Sequence, residues 1–112
     1  MKTRAQLDRE IVACLAKPES VGRMAAMHQH LVWAHEHAVR GYELVRKSNT
    51  ATAHLDAAMQ FQATADEFAE AGKIAKVHDP RTVKIAREQV RAYEALRRKH
   101  EHIAKRGGGE SA

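Results

Sequence analysis

The chain has 112 residues, of which 44% are apolar, 4% aromatic and 29% charged, with one cysteine and a net charge of +5. That is one domain's worth of chain, and the lone Cys14 excludes an internal disulfide or a cysteine-rich zinc site. No apolar run is long enough to span a membrane or to act as a signal peptide, so no membrane partner and a cytoplasmic location are expected.

Little in the sequence stops a helix. Pro18 and Pro80 are the only prolines, and three of the six glycines lie together at Gly107, Gly108 and Gly109. The first helix opens with a capping box, Thr3 with Gln6, and carries Leu7, Ile11, Cys14 and Leu15 on one face before Lys17-Pro18 ends it. Pro18 suits the first turn of a second helix that runs to about Lys47. Its predicted seam is Val21, Met24, His28, Leu31, His35, Ala38, Tyr42 and Val45, alternating steps of three and four as in a heptad.

Ser48, Asn49, Thr50 and Thr52 offer N-caps for a third helix reaching about Val77. Its predicted packing face is broad and rich in alanine, with Leu55, Ala58, Met59, Phe61, Ala65, Phe68, Ala69, Gly72 and Ala75. Asp79-Pro80 pairs an N-cap with a first-turn proline and starts a fourth helix. Val83, Ala86, Val90, Tyr93, Leu96, His100 and Ile103 share one of its faces. Residues 107–112 read as a disordered tail behind a single domain of residues 1–106. No alternating strand pattern occurs. The expected fold is all-α: an up-down-up bundle of three long antiparallel helices with a short N-terminal helix on its flank. Alanine buries little area per residue, so modest stability and self-association are expected.

Eight histidines are the first unusual feature. At the rise of an α-helix, His35, His54 and His100 stand about 26, 37 and 30 Å up the bundle, one from each long helix. Imidazoles converging in a bundle interior can bind a transition metal. The competing expectation is that they are hydrogen-bonded boundary residues. No Glu-x-x-His pair of the diiron type is present, and no cofactor is expected.

Charge is the second feature. Residues 1–72 hold eight basic and nine acidic side chains, residues 73–112 eleven and five. Lys84, Arg91, Arg98 and Lys105 recur every seven residues along the fourth helix, with Arg87 beside them, a line of cations that can follow a phosphate backbone. Glu88, Glu94 and Glu101 interrupt it, and no aromatic lies on that face to stack on bases. The segment Leu7–Ala26 has the look of the opening of a helix-turn-helix, but the helix runs on with no second turn, which argues against a DNA-reading helix there.

The segment Arg97-Arg98-Lys99-His100-Glu101-His102 places an Arg and a His five apart and resembles the motif of the HEPN ribonucleases, which are also small and helical. The resemblance covers six residues and implies Arg97 and His102 as a catalytic pair. Arg98 stands where that family commonly has Asn, and Ala104 where it has Tyr. No other catalytic constellation is present. The expectation is a non-enzymatic binding or adaptor protein that acts on a protein partner or on itself. Nucleic-acid binding through the fourth helix is the alternative. A histidine-lined metal site and a HEPN-like ribonuclease rank below it.

Overall fold

The computed structural model describes residues 3–7, 9 and 20–107, all of whose regular structure is helical. Residues 4–7 and 9 belong to α1; the long helices are α2 (Ser20–Lys47), α3 (Ala51–His78) and α4 (Pro80–Lys105). The all-α, up-down-up arrangement follows from short connections: three residues between α2 and α3, and Asp79 alone between α3 and α4.

The caps are those the sequence specifies. Thr3 N–H donates to Gln6 Oε1 at 2.8 Å while Gln6 N–H donates to Thr3 Oγ1 at 3.2 Å, closing the capping box of α1. Thr50 Oγ1 accepts from Ala53 N–H at 3.2 Å to start α3. Asp79 Oδ1 accepts from the backbone of Arg81 and Thr82, its Oδ2 accepts from the Thr82 hydroxyl at 2.6 Å, and Pro80 fills the first turn of α4. The Thr82 hydroxyl, followed by its own and Arg81's N–H, holds the Asp79 carboxyl below the usual range despite some desolvation. Ile11, Cys14, Leu15, Pro18 and residues 108–112 lie outside the described residues.

Packing is not that of a closed bundle. α3 packs on α2 along one side and on α4 along the other, whereas the α2 and α4 backbones do not approach each other and only side chains such as Tyr42 and Tyr93 meet across α3. The molecule is accordingly flat, 56 × 32 × 16 Å. As the middle element, α3 buries two flanks at once, and it does so with small residues: Ala53, Ala57, Ala58, Ala65, Ala71 and Ala75 around a fully buried Phe61. On α2, Gly41 lets the backbone lie against that ring; a Cβ there would stand 2.7 Å from Phe61 Cε1. α1 covers one side of the α2/α3 pair, where Leu7 packs with Ala26, Trp33 and Ile74.

Two predicted seams are corrected by this arrangement. The buried row of α2 is Ala26, Met27, Trp33, Ala34, Ala38 and Gly41, with Met24, His28, His35 and Tyr42 exposed. The heptad row is displaced by one residue, a turn of roughly 100° about the helix axis. On α3, Leu55 and Met59 are 49% and 71% exposed rather than packed, because the buried arc of a middle helix is centred on Phe61 and leaves its back to solvent. The α4 face holds as expected: Ala86 and His100 are buried, and Val83, Val90, Tyr93, Leu96 and Ile103 are half-buried.

Candidate functional site

His54 and His100 meet at the end of the α3/α4 pair. Their rings stack 5.0 Å apart, the two Nδ1 atoms are 2.8 Å apart, and both residues are buried. His54 Nε2–H donates to Asn49 Oδ1 at 2.7 Å, so its lone pair lies on Nδ1 and His100 is the donor between the rings. Desolvation, then His54, then Lys99 push the His100 pKa down from its ordinary value. The Phe61 ring closes the other side of His100, at 5.4 Å.

His35 does not join them. The pairs His30–Glu67 and His37–Gln60 fix the α2/α3 register. They set His54 opposite about residue 43, roughly 12 Å along α2 from His35. His35 is also exposed, and no group of three His, Cys, Asp or Glu side chains suited to a metal occurs among the described residues. His54 and His100 are one hydrogen-bonded pair, with an amide and an aromatic ring as their neighbours.

Lys84, Arg87, Arg91, Arg98 and Lys105 are all exposed on the same side of α4, and none of them is in an ion pair among the described residues. Arg97 instead turns toward α3. Its Nη1 donates to Glu101 Oε1 at 2.7 Å, while its buried Nε has no partner among the described residues. His102 is exposed, and five residues of helix turn it roughly 140° away from Arg97, so within one chain the two do not converge.

A second polar cluster carries no sequence signature, because it joins three helices. Glu67 of α3 accepts from His30 Nδ1–H of α2 at 2.7 Å and from Arg4 Nη2 of α1 at 2.9 Å. Arg4 Nη1 also donates to His37 Nε2 at 3.0 Å, and His37 Nδ1–H donates to Gln60 Oε1 at 2.8 Å. The guanidinium lies 4.5 Å from the centre of the Trp33 ring. Heptad-spaced His30 and His37 are the only local hint of it. Its hydrogen bonds close on one another, so the cluster clasps α1 to the α2/α3 pair.

Between α3 and α4, on the side of the cationic stripe, lie two hollows of about 570 and 620 Å³. Comparison of the chain with protein-family models, with characterised proteins and with solved structures found no match.

Proposed function

We propose that this chain is a non-enzymatic helical adaptor that acts through protein–protein contacts and associates with itself. The observation that carries the reading is the uncovered side of α2. Met24, His28, His35 and Tyr42 form an exposed row at heptad spacing that contains no Lys or Arg and lies beside the buried row of α2. Tyr42 is 50% exposed although its ring edge touches Phe61 at 5.1 Å, and on α4 Ile85 is 53% exposed. Such a stripe is suited to the matching stripe of a second copy. Light scattering should give a mass above that of one chain, and Met24→Glu with Tyr42→Glu should return it to one chain's. A monomer at every concentration would remove self-association from the reading.

Nucleic-acid binding is the second reading, favoured by the five exposed cations of α4 that have no ion-pair partner among the described residues. Lys84→Gln, Arg91→Gln and Arg98→Gln together should weaken such binding, and added salt should weaken it steeply. A chain that binds neither DNA nor RNA at low salt would leave the stripe free for another partner.

A further inference from the structure

The two hollows between α3 and α4 share one face of the molecule and form a trough along it. Its floor is made of small and apolar residues. Gly72 and Ala86 lie at one end, where a Cβ on Gly72 would stand 3.2 Å from the Ala86 Cβ. Leu55 and Met59 lie at the other end, largely exposed. Around the first hollow the rims are cationic on both sides, with Lys73 (paired to Glu70) and Lys76 on α3 and Arg87 and Arg91 on α4; at the second hollow Arg97 and Lys105 of α4 face Asp56 of α3. Glu94 and Glu101 interrupt the α4 rim, and Glu101 is engaged by Arg97.

From this we infer that the trough docks an acidic amphipathic helix of a different protein, with its apolar stripe on the floor and its carboxylates against the cations of α3 and α4 around the first hollow and of α4 beyond it. The inference deepens the adaptor reading by giving the partner a chemistry. Helix-in-groove recognition needs an apolar groove about as long as the ligand's stripe, and charge on the rims sets which helices are accepted. A second copy of this chain is disfavoured as the occupant. Its net charge is +5 and α4 itself holds eight Lys and Arg against three Glu, so a copy laid along the trough brings cations to cations. A nucleic-acid backbone would satisfy the rims but would cover Leu55 and Met59 with polar groups. The face also lacks the exposed aromatic side chains on which bases stack.

The test uses the whole chain and a labelled Leu/Glu peptide of about 18 residues, long enough for ~27 Å of helix, with its leucines at i, i+3, i+4 and i+7. Controls are a scrambled peptide of the same composition and a single-stranded oligonucleotide. The amphipathic peptide should bind at least about tenfold more tightly than the scrambled one, a difference of ~1.4 kcal/mol. Lys73→Gln, Lys76→Gln, Arg87→Gln and Arg91→Gln together should weaken it about tenfold or more. Ala69→Glu, which sets a carboxylate into the first hollow, should do the same at unchanged helix content.

Equal binding of both peptides, or no effect of either set of substitutions, would overturn the inference. So would an oligonucleotide that binds more tightly than the peptide and displaces it. Light scattering on the same samples separates the two claims. A parent chain that binds no peptide while its mass stays above that of one chain sinks the trough alone, and a one-chain mass with peptide binding intact sinks only the self-association.

Discussion

At the scale of single residues, two positions carry the sharpest consequences. His100 is buried between His54 and Phe61, and its pKa is depressed in the folded chain. A depressed folded value means that the unfolded chain takes up the proton first as pH falls. Stability contributed here is complete above the ordinary histidine pKa of about 6.5 and is lost below it, down to the folded value. The melting temperature should therefore be level above about pH 7 and fall toward about pH 5.5, and His100→Gln should flatten that fall. A His100→Gln variant with the same pH profile as the parent would assign the acid sensitivity elsewhere. Gly41 is the second position. Alanine is the better helix former by about 1 kcal/mol, yet its Cβ would stand 2.7 Å from a ring atom of the fully buried Phe61. Overpacking of this kind costs about 1–3 kcal/mol, so Gly41→Ala should lower the denaturant midpoint rather than raise it.

At the scale of elements, Arg4 makes the polar contacts of the described residues of α1 with the rest of the fold. Arg4 reaches Glu67, His37 and the face of Trp33, while Glu67 also holds His30. Glu67→Gln keeps the shape but removes the anion, leaving Arg4 with a neutral partner. Hydrogen exchange at the Leu7 amide, which donates to Thr3 C=O at 3.1 Å, should then quicken, with little change in the middle of α3. Unchanged exchange would mean that Leu7 packing alone secures the element.

Element boundaries were legible because capping is local: Thr3 with Gln6, Thr50 and Asp79-Pro80 each announce a start within four residues of chain. The face that α2 turns inward was not. Its apolar heptad stripe and its buried stripe are adjacent rows, and the buried row is carried by Ala26, Ala34, Ala38 and Gly41, residues whose side chains give little pattern. Small size is what buries them, since it lets α2 and α3 approach. The meeting of His54 and His100 was legible from helix length and connection length together. The Glu67 clasp was not, because its partners lie 63 and 37 residues away.

At the scale of the whole molecule, the open α2–α3–α4 layer has a thermodynamic consequence. The largest fully buried side chains are Phe61 and Thr64, and most of the remaining core is alanine. An alanine methyl group removes far less apolar area from water than a leucine side chain, so the lone chain gains modestly from burial. A second copy covering Met24, Tyr42 and the rest of the α2 stripe would add burial that the monomer lacks. Association linked to folding raises the melting temperature with chain concentration, because mass action favours the associated folded state. The melting temperature of the parent should therefore climb across a hundredfold range of concentration, with about 2.7 kcal/mol of added stability where the concentration is a hundredfold above the dissociation constant. Met24→Glu should abolish the climb while leaving the helical signal of the dilute chain intact, since Met24 is exposed there. A melting temperature independent of concentration would mean that the flat layer is stable alone and that its α2 stripe faces water.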